Sequence, residues 1–200
     1  MLICLIVRVT FASKISITRI MMVPVFAVLA VGYGMTVARG LPVAGLRWWA
    51  VAVFVTAAAS DGLDGWVARR FNQCSPFGAL IDPIADKALL LTGVVVLTIV
   101  DWGPTGWSLP GWFAAIVVLR DCLILVGIKI LYRRHLKVVI APHWSGKICT
   151  ASQMVALGWV MLKVPWPPTW PCVVAAVFTA WSTLAYLRQG LRILRQPAPA

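Results

Sequence analysis

Asp61-Gly62-Leu63-Asp64-Gly65-Trp66-Val67-Ala68-Arg69 is followed, eight residues on, by Gly78-Ala79-Leu80-Ile81-Asp82-Pro83-Ile84-Ala85-Asp86. Asp61 and Asp64 are three apart, and Asp82 and Asp86 are four apart. On helices each pair projects from one face. A short connection brings two such helices together antiparallel, and four carboxylates then converge on one pocket. The chain holds six acidic residues, all of them Asp, and these four make up most of the total.

The surroundings make that concentration expensive. Of 200 residues, 61% are hydrophobic, and the mean hydropathy is +0.90. A soluble domain of this length is usually about half apolar. Here the excess falls in long runs, as in a polytopic membrane protein with one membrane domain over residues 1–200. An ionised residue at the centre of a membrane helix costs about 2.5–3.5 kcal/mol, so four cost on the order of 10 kcal/mol if buried and unpaired. Arg69, Arg70 and Lys87 are the basic residues within or beside the window. Divalent cations are the natural compensation. Oxygen ligands without neighbouring Cys or His favour Mg²⁺ or Mn²⁺ over zinc.

Working outward, the apolar runs predict an all-α fold of six transmembrane helices. They cover about Ile20–Ala38, Leu46–Arg70, Pro83–Val100, Gly111–Leu131, Ile148–Leu162 and Trp170–Leu187. Residues 1–18 form an N-terminal interfacial segment, 19–195 the six-helix bundle and 196–200 a tail. Gly and Pro mark the breaks: Gly40-Leu41-Pro42, Asn72 to Pro76, Asp101 to Pro104, Leu109-Pro110, Pro142 to Gly146, and Pro165 to Pro168. Trp48, Trp49, Trp102, Trp107, Trp112, Trp166 and Trp170 fall near span ends, as an aromatic belt does.

The net charge of +12 suits anionic lipid. Nucleic acid is disfavoured, because no basic stripe is interleaved with polar residues. Most Lys and Arg, including Lys14, Arg19, Arg69, Arg70, Arg133, Arg134, Lys137, Lys147, Arg188, Arg192 and Arg195, collect on one side of the predicted spans. Arg39, Arg47 and Lys163 fall on the other. The richer side is cytoplasmic, with both termini and the Asp cluster facing it. Cys4, Cys74, Cys122, Cys149 and Cys172 show no paired spacing, so they read as small apolar residues. His135 and His143 are loop residues without a ligand pattern around them.

Small residues accompany the carboxylates. Gly65 and Ala68 share the stripe of Asp61 and Asp64, and Gly78 precedes Asp82 by four. Glycine in a helix costs about 1 kcal/mol relative to Ala, so these positions outline a slot for close packing or a ligand. Arg69 at its end suits a phosphate.

The pattern Asp-x2-Asp-Gly-x2-Ala-Arg-x8-Gly-x3-Asp-x3-Asp resembles the signature of the CDP-alcohol phosphatidyltransferase family. Asp61, Asp64, Gly65, Ala68, Arg69, Gly78, Asp82 and Asp86 match its eight specified positions. The resemblance implies a two-metal centre held by Asp61, Asp64 and Asp82, with Asp86 near the metals and acting as general base on the acceptor hydroxyl. It implies that Gly65, Ala68 and Gly78 admit the cytidine and its phosphates, and that Arg69 contacts the diphosphate. The acceptor oxygen then attacks the β-phosphorus and CMP leaves.

The acceptor is read from weaker signals. Ser13 to Arg19 with Pro24, Phe71-Asn72-Gln73, and Gly146 to Leu157 resemble phosphatidylglycerophosphate synthases, whose acceptor is glycerol 3-phosphate. Arg120-Asp121 departs from the Arg-Glu common in that group. Together with Tyr186 to Gly190 it leans towards cardiolipin synthases that use phosphatidylglycerol and release CMP. Either acceptor carries phosphate, for which Arg19, Arg120, Arg133, Arg134, Lys137 and Lys147 are candidate cations. Arg120 and Asp121 form an ionisable pair inside a span, a functional-site candidate with a structural ion pair as the competing reading. Phosphatidylglycerophosphate synthesis is the expectation. A cation channel or transporter is the competing class, disfavoured because the carboxylates gather at one face. A bacterial inner-membrane homodimer with its active site facing the cytoplasm is expected.

Overall fold

The computed structural model describes residues 11–71, 76–103, 107–133 and 144–195. Side chains are described apart from those of residues 11–17, 19, 61–71, 76–86, 128, 131–133 and 193–195. The described residues hold six helices and no strand: α1 Phe11–Ala38, α2 Ala44–Phe71, α3 Pro76–Ile99, α4 Gly111–Arg133, α5 Trp144–Met161 and α6 Thr169–Arg195. Each expected span falls on one of them. The helices run longer than the apolar cores, because helix geometry continues through polar flanks once the core is packed. Thus the polar stretch from Ser13 to Arg19 belongs to α1, and Trp144-Ser145-Gly146, expected in a turn, forms the first turn of α5.

Two compact units divide the chain, Met1–Val96 and Leu97–Ala200. In the first, α1 and α2 form an antiparallel hairpin. Phe26, Ala30 and Tyr33 of α1 are buried, as are Ala50, Phe54 and Ala57 of α2. Both sets step by four and then three, the repeat of one helix face. Phe26 and Phe54 meet with ring centroids 5.4 Å apart, and the alanines let the backbones approach. Thr36 pins the connection: its hydroxyl donates to the Tyr33 carbonyl at 2.7 Å and accepts from the Val43 amide at 3.3 Å.

In the second unit α6 packs against both α4 and α5. Phe113, Val117 and Arg120 of α4 are buried at a four-then-three spacing. Cys172, Ala175, Thr179 and Ser182 form the buried stripe of α6. Trp102 departs from the aromatic-belt expectation. It is fully buried, and its amide donates to the Trp107 carbonyl at 3.0 Å. Trp107 is half-buried and donates from Nε1 to the Val160 carbonyl at 3.3 Å. These two rings fold inward because Gly103 leaves room: a Cβ there would stand 2.8 Å from the Trp107 Cβ. Trp48, Trp49, Trp112, Trp166 and Trp170 are exposed, as belt residues are.

Polarity is inverted relative to a water-soluble protein. Gln153, Thr179, Ser182, Ser145 and Arg120 are buried, while Val28, Ile99 and Trp181 lie open at 71%, 77% and 55% exposure. Such a surface fits lipid, not water. Ile20–Ala38 and Thr169–Arg192 are long and apolar enough to cross a membrane on length and composition, and Ala44–Ser60 and Lys87–Ile99 are shorter apolar stretches. The chain is a membrane protein of all-helical architecture.

Two helices end alike with different residues. After α1, the Gly40 amide bonds to the Val37 carbonyl and the Leu41 amide to the Thr36 carbonyl, with Gly40 at φ +75°. After α5, the Lys163 amide bonds to Val160 and the Val164 amide to Trp159, with Lys163 at φ 53°. Both are Schellman closures, which need a left-handed residue. A side chain there costs roughly 1–2 kcal/mol that glycine escapes. Lys163→Gly is therefore expected to be more stable than Lys163→Ala by about 1 kcal/mol, read as thermal midpoints in detergent. Equal midpoints would contradict it.

Candidate active site

The last turns of α2 carry Asp61, Asp64, Gly65, Ala68 and Arg69, and the first turns of α3 carry Gly78, Asp82 and Asp86. α3 opens at Pro76, a residue pre-set for the first helical position because the missing N–H would have no partner there. Helix register places Asp61, Asp64, Gly65 and Ala68 on one face of α2, and it places Gly78, Asp82 and Asp86 along a common stripe of α3. Their side chains lie outside the described residues. Among the described residues no three His, Cys, Asp or Glu gather as a metal site.

The cationic candidates belong to different segments of the chain. Arg19 lies on α1 and Arg133 at the end of α4, with side chains outside the described residues. Arg134, Lys137, His135 and His143 lie outside the described residues altogether, as do Cys4 and Cys74. Lys147 projects from the exposed side of α5, its Nζ 5.5 Å from the Trp144 ring centroid. Its neighbours Ser145 and Cys149 face inward.

Among the described residues Arg120 is the buried cation, with a side chain only 8% exposed. Its Nη1 donates to Asp121 Oδ1 at 2.7 Å, and its Nη2 to the Ser182 hydroxyl at 3.4 Å. The guanidinium lies 6.0 Å from the centroid of the Tyr186 ring. Tyr186 in turn reaches the start of α5: a Cβ on Gly146 would meet its hydroxyl at 2.9 Å. Among the described residues, Arg120 Nε, Ser145 Oγ and Gln189 Oε1 are buried without a hydrogen-bond partner. An unsatisfied buried polar group costs about 1–3 kcal/mol, so this end of α4, α5 and α6 stores polar capacity that a ligand or water would use.

One further polar cluster lies along the α5–α6 seam. Gln153 Nε2 donates to Thr179 Oγ1 at 3.0 Å and approaches Cys149 Sγ at 3.4 Å. Thr179 Oγ1 donates to the Ala175 carbonyl at 2.7 Å. This cluster is satisfied and reads as a helix clamp. Ser145 and Ser182 are residues that sequence reasoning missed at the Arg120 end, and Tyr186 and Gln189 were noted only as part of the Tyr186 to Gly190 segment. The signal was present: Cys172, Ala175, Thr179, Ser182, Tyr186 and Gln189 repeat at alternating steps of three and four, a single face of α6 that turns polar.

Comparison with known proteins places the chain in a class. Residues 9–185 match the CDP-alcohol phosphatidyltransferase family. The chain belongs to that family, and its fold and motif are those of a membrane-embedded transferase. Among particular proteins, it is similar to the CDP-diacylglycerol–glycerol-3-phosphate 3-phosphatidyltransferases of Escherichia coli strain K12 and Escherichia coli O157:H7. Each is 33% identical over 183 residues, covering 88% of this chain and 91% of the relative. The enzyme of Shigella flexneri serotype 5b is similar to the same extent, 33% over 183 residues.

Proposed function

We propose that the chain transfers the phosphatidyl group of CDP-diacylglycerol to the hydroxyl of glycerol 3-phosphate, forming phosphatidylglycerophosphate and releasing CMP. One observation carries the reading. The eight-position Asp motif falls on the last turns of α2 and the first turns of α3, in a chain 33% identical to enzymes named for that acceptor.

The donor set fits a pair of Mg²⁺ or Mn²⁺ ions: Asp61, Asp64, Asp82 and Asp86 offer oxygen alone. When bound, the ions neutralise the diphosphate and the departing CMP. The residues perform the remaining steps. Gly65, Ala68 and Gly78 admit the nucleotide, and Arg69 holds a phosphate. Asp86 takes the proton from the acceptor hydroxyl. The freed oxygen bonds to the β-phosphorus as the bond to CMP breaks. Glycerol 3-phosphate is a dianion, so its pocket needs fixed cations. Arg120 serves it, with Arg19, Arg133, Arg134, Lys137 and Lys147 as further candidates. We place all six helices across a bacterial inner membrane, with the Asp motif at the cytoplasmic face and the enzyme a homodimer.

Purified enzyme given CDP-diacylglycerol and either labelled glycerol 3-phosphate or labelled phosphatidylglycerol tests the acceptor. CMP release with the first is expected. Release with phosphatidylglycerol alone overturns the assignment in favour of cardiolipin synthesis. No metal-dependent release with either overturns the transferase reading.

A further inference from the structure

We propose that Asp121 is a positioning residue, which holds the Arg120 guanidinium in the orientation that receives the acceptor's phosphate. The inference rests on the reading that Arg120 belongs to the acceptor pocket.

The geometry is unusual for a helix. Neighbouring positions i and i+1 do not face each other. The Arg120 side chain nevertheless turns along α4 to bring Nη1 within 2.7 Å of Asp121 Oδ1. The other restraints are weak by comparison. The Ser182 hydroxyl stands at 3.4 Å, beyond the usual range for an N–H···O bond. The Tyr186 ring centroid at 6.0 Å marks the outer limit of a cation–π contact. The charge-assisted bond to Asp121 is therefore the one firm anchor.

The anchor leaves most of the guanidinium free for other work. Of the five N–H donors an arginine carries, one serves Asp121 and one Ser182, while Nε, although buried, has no partner among the described residues. A purely structural ion pair in an apolar bundle would be expected to satisfy the fork, since each orphaned donor costs about 1–3 kcal/mol. A fork held at one corner with donors to spare suits a second anion, and a phosphate matches its geometry.

Charge and position have opposite signs at Asp121. Its carboxylate repels an incoming phosphate, so a purely electrostatic role predicts that any neutral substitute tightens acceptor binding. Positioning predicts the reverse when the anchoring oxygen is lost. Asp121→Ala removes the anchor, whereas Asp121→Asn keeps an oxygen that accepts from Nη1.

The test measures KM for glycerol 3-phosphate and for CDP-diacylglycerol, with kcat, on the full-length enzyme in detergent. Asp121→Ala is expected to raise the glycerol 3-phosphate KM about tenfold with little change in the CDP-diacylglycerol KM, which also reports that the variant is folded. Asp121→Asn is expected to recover most of that loss. An unchanged or lowered acceptor KM in Asp121→Ala overturns the proposal, as does an equal rise in Asn and Ala, or a parallel rise for both substrates. Arg120→Lys separates the two levels. If it raises the acceptor KM while Asp121→Ala does not, the positioning role fails and the pocket stands. If neither variant moves it, the acceptor-pocket reading fails as well.

Discussion

Asp86→Asn is expected to lower turnover by about 10²–10⁴-fold, the range that a positioned general base contributes, while CDP-lipid binding stays largely intact. Asn has nearly the same size and retains one oxygen, so the helix and slot are preserved. What it cannot do is accept a proton from the acceptor hydroxyl. Asp86 stands one turn beyond Asp82 on α3, close enough in register to share the site without being equivalent within it. Steady-state CMP release gives the turnover, and equilibrium binding of CDP-diacylglycerol gives the second arm. Normal turnover removes Asp86 from the role. Loss of both turnover and binding reassigns it to the diphosphate site.

If Asp64 is a direct ligand, as proposed, Asp64→Asn is expected to raise the Mg²⁺ concentration needed for half-activation by at least the 10–100-fold typical of losing an outer-shell partner. The physical reason is charge. On the proposed reading, four carboxylates brought together would repel one another, and bound cations would offset that repulsion. Mn²⁺ binding followed by electron paramagnetic resonance gives a readout independent of activity. Weaker Mn²⁺ binding in step with the Mg²⁺ shift is the expected result. Full turnover of the unsubstituted enzyme in chelator would remove the metal from the chemistry.

The helices and the motif were legible in the sequence for separable reasons. Ile20–Ala38 is long and apolar enough to cross a membrane, and the apolar run Gly111–Leu131 falls within α4. The motif was legible because carboxylates are costly there. Within the second unit the sequence said less. Trp102 reads as a belt residue because it stands at a span end, yet it is buried, with its amide bonded to the Trp107 carbonyl and Gly103 packed against Trp107. Trp144-Ser145-Gly146 reads as a turn because Pro142 and Gly146 bracket it, yet the buried Ser145 and Cys149 continue one helix face through it. Arg120 and Asp121 were conspicuous as charges in an apolar run. An ion pair between them was one of the two readings the sequence left open, and the 2.7 Å bond forms although adjacent helical positions diverge.

The Gln153–Thr179 clamp bears on how the chain is made. Synthesis delivers α5 first, with Lys147 and Gln153 among its residues, and the hydroxyl that Gln153 needs lies 26 residues later on α6. Until then the amide faces either water or hydrocarbon, and the latter costs several kcal/mol. On the proposal that both helices cross the membrane, α5 gains by pairing with α6 as it inserts, because α6 brings the hydroxyl that satisfies Gln153.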